Sequence, residues 1–286
     1  MFAGIRHFEL LDERAATRFA LVVMYPTAQE PASVKLAQFT EQLSLDAPAA
    51  GGKHALVIIS HGSGGSHLTH RKLAATLARA GFIVAMPEHP GNNRNDNRLA
   101  DALENMENRP RHLSMAIDAV LADSELAPHV QRGGVAIIGH SIGAYTALAV
   151  AGGVPRFPYN SNQIVSVNAD ARVKALVLMA PAVPWFIAEG ALANVTARIL
   201  MLTAELDPYT PPVDGQIVAR GLPAATPLTQ RCVPNAGHFS FLSPFPRELR
   251  RPGFLPAFDP DGFDREAFQQ ELGEELVRFL TDALSG

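Results

Sequence analysis

Residues Val135-Ala136-Ile137-Ile138-Gly139-His140-Ser141-Ile142-Gly143 form an apolar run that ends in the pattern G-x-S-x-G. The run predicts a buried strand, and residues 144–151 predict a helix. A serine between them lies on a sharp turn that exposes its hydroxyl at a helix N-terminus. Gly139 and Gly143 fit because a Cβ at either position would clash as strand and helix approach. Ser141 is therefore a candidate nucleophile; the alternative is a helix N-cap serine.

Strand-like and helix-like patterns alternate along most of the chain. Strands are predicted at residues 4–11, 19–25, 55–60, 82–86, 135–140, 175–179, 197–203 and 228–233, and helices at 67–80, 111–122, 144–151, 213–220 and 264–284. This alternation predicts an α/β fold with a mostly parallel sheet of about eight strands and helices on both faces. Residues 1–286 are expected to form one domain. Three segments extend from the predicted scaffold and are candidate lids or caps: 91–110, 152–171 and 243–262, called excursions below.

The composition is typical of a globular enzyme. The 286 residues are 47% hydrophobic and carry a formal net charge of −4. This charge balance does not indicate the basic surface that nucleic-acid binding requires. The longest apolar stretch, 175–188, contains two prolines and is too short for stable membrane insertion. The N-terminus lacks the apolar core of a signal peptide, so a cytoplasmic location is expected. The single cysteine, Cys232, excludes an internal disulfide and is expected to be buried.

A serine nucleophile needs a base, and the base needs an orienting acid. In sheet proteins with G-x-S-x-G, the chain order is serine, acid, histidine. Of ten histidines only His238 follows Ser141, in the loop after the last predicted strand. Asp207 is the preferred acid because it follows the strand at 197–203 and precedes a stiffening proline. The other candidates are Glu205, Asp170, Glu189 and Asp214.

A glycine-rich loop, Ser60-His61-Gly62-Ser63-Gly64-Gly65, follows the predicted strand at 55–60. Glycines allow backbone N–H groups to turn towards the oxyanion of a tetrahedral intermediate. The expected donors are the N–H groups of Ser63 and of Ile142, which follows the nucleophile. Phosphate binding is the alternative, but the loop lacks both the G-x-G-x-x-G spacing and a P-loop lysine.

Four residues beside the two glycine-containing motifs and after the strand at 175–179 are candidate substrate contacts. They are His61, Gly62, His140 and Trp185, although a core position is equally expected for the tryptophan. The spacing of His61, His67 and His70 imitates a metal cluster. No carboxylate accompanies them at ligand spacing, so we interpret His67 and His70 as part of a solvated helix face. No metal and no organic cofactor are predicted.

Six segments together resemble the α/β-hydrolase superfamily, and within it predicted dienelactone hydrolases and bacterial proteins similar to platelet-activating-factor acetylhydrolase. They are Tyr25-Pro26-Thr27, residues 59–65, residues 81–92, Gly139-His140-Ser141-Ile142-Gly143, Ala236-Gly237-His238-Phe239 and Gly262-Phe263-Asp264-Arg265. The resemblance extends from about residue 3 to residue 284. It implies an α/β-hydrolase fold and esters with short, acetyl-like acyl groups.

The chain differs from both named groups. Dienelactone hydrolases have cysteine where this chain has Ser141, and the plasma-type acetylhydrolases place their acid where this chain reads Ala180-Pro181-Ala182. The sequence therefore predicts a serine esterase acting on a small-molecule ester through Ser141, His238 and Asp207. The alternatives are a serine peptidase or amidase, and a non-catalytic hydrolase-fold protein that binds a ligand. The sequence does not indicate an oligomeric state.

Overall fold

The computed structural model describes residues 1–285. Within them lie ten strands: β1 (Phe2–Asp12), β2 (Thr17–Thr27), β3 (Ala32–Leu36), β4 (Phe39–Leu45), β5 (His54–Ser60), β6 (Ile83–Pro87), β7 (Val130–His140), β8 (Val173–Met179), β9 (Arg198–Ala204) and β10 (Leu228–Val233). Five α-helices accompany them: α1 (Arg71–Arg79), α2 (Leu103–Ala122), α3 (Ile142–Val150), α4 (Pro212–Gly221) and α5 (Arg265–Leu284).

All ten strands belong to one sheet in the order β10-β9-β8-β7-β5-β6-β2-β1-β4-β3. The six strands from β10 to β6 pair in parallel, whereas β2 is antiparallel to both β6 and β1. The predicted mostly parallel α/β sheet is confirmed, and the predicted count of about eight strands is corrected to ten. Because one sheet joins β1 to β10, we propose that residues 1–286 form one domain.

The additional strands, β3 and β4, form an antiparallel hairpin between the predicted strands at 19–25 and 55–60, where no helix or strand is predicted from the sequence. In β4 the side chains of Phe39, Glu41 and Leu43 alternate inward. The inward carboxylate of Glu41 obscures the apolar alternation, because it is buried to pair with Arg71 at 2.9 Å and with Lys72 at 2.6 Å. The period-2 pattern was present, with a paired charge in place of one apolar residue.

Helices cover both faces of the sheet, as predicted. Leu73 of α1 and Leu276 of α5 belong to the core on one face. Leu113 of α2, Tyr145 of α3 and Val218 of α4 belong to the core on the other face. Every residue of β5 is buried, which is the pattern of a strand covered on both sides.

Three local predictions were wrong. Helix α1 begins at Arg71 instead of residue 67, and α2 begins at Leu103 with Pro110 inside it. The proline does not end α2 because Met106 and Arg109 anchor the preceding turns in the core. Cys232 is exposed, since β10 is an edge strand of the sheet.

Across residues 1–285, none of the helices is both long and apolar enough to cross a bilayer.

Candidate active site

Ser141 lies between β7 and α3 in a left-handed conformation, with φ of 56° and ψ of −123°. Such a conformation costs a residue with a Cβ about 1–3 kcal/mol and persists only where its surroundings enforce it. A Cβ at Gly139 would overlap the carbonyl group of Gly143, and a Cβ at Gly143 would overlap the carbonyl oxygen of Ser60. The two glycines therefore allow the close approach of β7, α3 and β5 that holds the serine in this turn.

Gly143→Ala is expected to destabilise the protein by about 4 kcal/mol or more, because the new methyl group meets rigid backbone on β5. Urea unfolding followed by circular dichroism measures the change. Gly51→Ala is the matched control: nothing lies within 4 Å of its added Cβ, so we expect a change below about 0.5 kcal/mol. Equal unfolding midpoints for the two variants would contradict the packing described for the turn.

His238 and Asp207 follow β10 and β9, so both lie at the same edge of the sheet as Ser141. The ring nitrogen Nδ1 of His238 donates a hydrogen bond of 2.7 Å to Oδ2 of Asp207. The two side chains are 6% and 1% exposed. Asp207 also accepts bonds from the backbone N–H groups of Tyr209 (2.7 Å) and Thr210 (3.0 Å) and from the Thr210 hydroxyl (2.5 Å).

These donors decide the charge of Asp207. Burial by itself would raise the pKa of its carboxyl, but the hydrogen bonds from His238 and Thr210 outweigh burial and hold the pKa below its ordinary value. The carboxylate is therefore ionised at neutral pH and acts as an acceptor only. It fixes the proton of His238 on Nδ1 and leaves Nε2 of that ring as the basic nitrogen.

Asp207 supplies the one carboxylate within residues 1–285 that hydrogen-bonds His238. Glu205 is exposed and accepts the backbone N–H of Asn235 at 2.7 Å. The other candidate acids are held elsewhere or exposed: Asp214 accepts the backbone N–H of Val183, Asp170 pairs with Arg172, and Glu189 faces solvent. The geometry therefore favours Asp207 among the candidates.

The loop that carries His238 is held at two points. Nε2 of His140 donates to the carbonyl oxygen of His238 at 2.9 Å. Two residues further on, the hydroxyl of Ser240 donates to Asp259 at 2.7 Å, and Asp259 pairs with the buried Arg265 at 2.8 Å. The position of His238 is thus fixed from the turn between β7 and α3 and from the loop before α5.

The glycine-rich loop lies directly against Ser141. A Cβ added to Gly62 would lie 3.2 Å from Cβ of Ser141. Ser63 and Gly64 line the same cavity as Ser141 and His238. Ile142 opens α3, so its backbone N–H has no partner within the helix. The two residues predicted to supply oxyanion donors therefore lie beside Ser141.

A cavity of about 90 Å³ adjoins Ser141 and His238. Its apolar wall consists of Phe39, Phe239, Leu242, Phe245, Phe254 and Pro256. The predicted excursion at 243–262 supplies three of these residues, and the excursion at 91–110 adds Arg94 at the rim. The excursion at 152–171 contributes no residue to this lining. Two of the three excursions therefore shape the cavity.

Two of the four predicted substrate contacts lie outside this cavity. Gly62 and His140 line it, but His61 is fully buried beneath the loop and Trp185 packs edge-on against Tyr145. Both ring nitrogens of His61 bind backbone: Nδ1 donates to the carbonyl oxygen of Gly62 at 2.8 Å, and Nε2 accepts the N–H of His89 at 3.2 Å. His61 therefore shapes the loop without facing the cavity.

The predicted solvated histidine face is wrong for His70. This residue precedes α1 and is 1% exposed, with its ring edge-on to His140 at 5.5 Å. His67 lies 3.4 Å from Glu88. In the described chain, residues 1–285, no group of three or more histidine, cysteine or acidic side chains is placed to hold a metal ion.

Sequence reasoning missed Arg109, which is completely buried in α2. Its guanidinium donates to the carbonyl oxygen of His61, to Oδ1 of Asn92 at 2.7 Å and to the hydroxyl of Thr146 at 3.0 Å. Burial lowers the pKa of Arg109 to about 9, so the group is still a cation at neutral pH. A single arginine on an apolar helix face gives no sequence signal for such a role.

Comparisons with known proteins agree on the fold. Residues 55–198 match the family model described as alpha/beta hydrolase fold. The structure of a ferulic acid esterase from Streptomyces cinnamoneus superposes with a TM-score of 0.76 at 19% identity, covering 99% of this chain and 90% of that one. No curated protein matches the chain significantly.

Proposed function

Because the chain belongs to the α/β-hydrolase fold family, we propose that it is a serine esterase that cleaves carboxylic esters through Ser141, His238 and Asp207. The observation that carries this proposal is the 2.7 Å bond between His238 and Asp207 beside the cavity that Ser141 lines. A non-catalytic hydrolase-fold protein has no use for a base held in this tautomer. The geometry therefore favours catalysis over ligand binding alone.

In the proposed reaction, His238 Nε2 removes the hydroxyl proton of Ser141 while the oxygen attacks the ester carbonyl. The backbone N–H groups of Ser63 and Ile142 stabilise the oxyanion. His238 then protonates the leaving alcohol, which releases it and leaves an acyl-serine. A water molecule, deprotonated by the same ring, hydrolyses this ester and regenerates Ser141. Proton transfer of this kind contributes about 10²–10⁴ to the rate.

The cavity supports a small acyl group. Its volume of about 90 Å³ is well below the roughly 300–1,000 Å³ of pockets that hold drug-sized ligands. Four phenylalanines line it, and such walls suit a short aliphatic chain or the edge of an aromatic ring. We therefore propose short-chain esters as substrates. Aromatic acyl esters are the second candidate, favoured by the phenylalanines.

The narrower relationship to dienelactone hydrolases and platelet-activating-factor acetylhydrolases stays a proposal that rests on sequence motifs. The position of the acid supports a separate branch, because Asp207 follows β9 while β8 is followed by Ala180-Pro181-Ala182. Peptidase or amidase activity would use the same three residues. A p-nitroanilide measured beside the matching p-nitrophenyl ester distinguishes the two, and we expect hydrolysis of the ester only.

A p-nitrophenyl ester series from acetate to palmitate tests the substrate proposal. We expect kcat/KM to be highest between acetate and butyrate and to fall at least about tenfold by octanoate, since each methylene that does not fit costs roughly tenfold or more. Phe254→Ala, which widens the cavity, should move the optimum to longer chains. Phe258→Ala is the matched control on an exposed position of the same loop.

Two results would change this proposal. Faster turnover of an aromatic ester such as methyl ferulate than of butyrate would replace short-chain esters with aromatic ones. An enzyme that hydrolyses no ester and does not react with a fluorophosphonate would overturn the esterase proposal itself.

A further inference from the structure

Arg109 is a buried cation without a buried anion beside it. No carboxylate of residues 1–285 lies within 4.0 Å of its guanidinium, and its neighbours are neutral acceptors: the His61 carbonyl, Oδ1 of Asn92 and the Thr146 hydroxyl. Buried charges are normally paired, because an uncompensated charge is costly in a medium of low dielectric constant. The positive field of Arg109 is therefore only partly neutralised on the side that faces the glycine-rich loop.

Arg109 also fixes the orientation of the Asn92 side-chain amide. A guanidinium has donors only, so the amide atom 2.7 Å from Arg109 must be the oxygen, Oδ1. The amide nitrogen of Asn92 then points the other way and donates to Oγ of Ser63 at 2.8 Å and to Oδ1 of Asn97 at 2.8 Å. Asn92 is fully buried, which holds this orientation in place.

The polarity of this chain determines what the Ser63 hydroxyl can do. Its oxygen accepts from Asn92, so its proton has to be donated elsewhere. No other polar atom of residues 1–285 hydrogen-bonds this oxygen, and Ser63 lines the cavity beside Ser141. The hydroxyl is therefore a free donor in the wall of the cavity that Ser141 also lines.

We propose that the side-chain hydroxyl of Ser63 is a third oxyanion donor, and that Asn92 and Arg109 are positioning residues that keep it donating. This inference rests on the proposed esterase function. Ser63 would touch the reacting oxygen, whereas Asn92 and Arg109 act through it. Each bond in the series donates towards the cavity, and such a polarised chain strengthens its last donor.

Asn92→Asp is the decisive variant, because it reverses the polarity of the chain at Ser63. It also turns the donor that faces Oδ1 of Asn97 into an acceptor, and the exposed Asn97 amide can turn over to donate to it. An aspartate oxygen can only accept, so the Ser63 hydroxyl would donate to it and present a lone pair to the cavity. Arg109 would meanwhile gain a carboxylate partner, so the melting temperature should not fall. We expect kcat for p-nitrophenyl acetate to drop about 100-fold, the typical loss for one oxyanion donor, with KM within about threefold of wild type.

Three further variants separate the alternatives. Ser63→Ala keeps the backbone N–H and removes the hydroxyl, so it should lose the same factor of about 100 in kcat, and Ser63→Thr should recover to within about fivefold of wild type. The double variant Ser63→Ala/Asn92→Asp should be no slower than Ser63→Ala, because both changes remove the same donor, the Ser63 hydroxyl. Asn95→Asp, on the exposed side of the same loop, adds the same charge and should leave kcat unchanged.

The proposal is overturned if Asn92→Asp keeps wild-type kcat, if the two losses multiply in the double variant, or if Asn95→Asp is as slow as Asn92→Asp. Should Asn92→Asp not fold, equal kcat for Ser63→Ala and wild type would overturn it alone. Wild-type turnover that is lost in Ser141→Ala establishes the esterase separately. An inert wild type would therefore reject the proposed function, whereas an active Asn92→Asp variant would reject only the role of the Ser63 hydroxyl.

Discussion

Ser141→Ala is expected to lower kcat for p-nitrophenyl acetate by about 10⁵–10⁶ while the protein stays folded. Loss of a serine nucleophile removes the covalent route altogether and leaves only what the oxyanion donors and substrate binding contribute. Alanine retains the Cβ that already occupies the left-handed turn at φ of 56°, so the substitution adds no clash. The melting temperature should therefore stay within about 2 °C of wild type, equivalent to less than about 1 kcal/mol for a chain of this size.

Two measurements check this prediction. Steady-state hydrolysis gives the loss in kcat, and labelling with a fluorophosphonate, followed by mass spectrometry, should modify the wild type at Ser141 and leave the variant unmodified. Ser124→Ala is the control, because Ser124 is exposed and distant in sequence from every cavity-lining segment. A Ser141→Ala enzyme that retains more than about 1% of wild-type activity would show that another residue is the nucleophile.

Asp207→Asn is expected to lower kcat by about 10⁴. The carboxylate holds the proton of His238 on Nδ1 through the 2.7 Å bond. An amide in its place can donate to that nitrogen and so favour the tautomer in which Nε2 carries the proton and cannot act as a base. Because the pKa of Asp207 is held below its ordinary value, wild type keeps the carboxylate from pH 6 to 9, and the loss should persist across that range.

Glu205→Gln provides the matched comparison, since it makes the same chemical change two residues earlier. Glu205 accepts only the backbone N–H of Asn235, and a glutamine oxygen can still do so. We expect kcat within about threefold of wild type. If Glu205→Gln proved slower than Asp207→Asn, the orienting acid would be Glu205 and the preference for Asp207 would be wrong.

Chain order explains why the candidate site could be predicted from the sequence. A strand followed by G-x-S-x-G locates one sheet edge, and only one histidine follows it, so Ser141 and His238 were accessible without a structure. Asp207 needed one more step, the choice between two carboxylates in a single turn. The structure brings Asp207 to His238 because it lies further around that turn, next to Thr210.

Features that depend on distant parts of the chain could not be predicted in this way. The hairpin of β3 and β4 was missed because Glu41 stands where an apolar residue would have completed the pattern, and its partner Arg71 is 30 residues away. Arg109 was missed for the same reason: its acceptors lie in three other segments. Nor does periodicity along one segment indicate that Phe39 and Phe254 share a cavity wall.

The origin of that cavity wall has an evolutionary consequence. The segment that matches the family model, residues 55–198, contains Ser141 and the glycine-rich loop. Phe39 precedes this segment, and Phe245 and Phe254 follow it. The proposed nucleophile and the phenylalanines of the cavity wall therefore lie on different stretches of polypeptide. If the proposed function holds, selection for a new ester can act on the hairpin and on the loop before α5 while Ser141 and its turn stay unchanged.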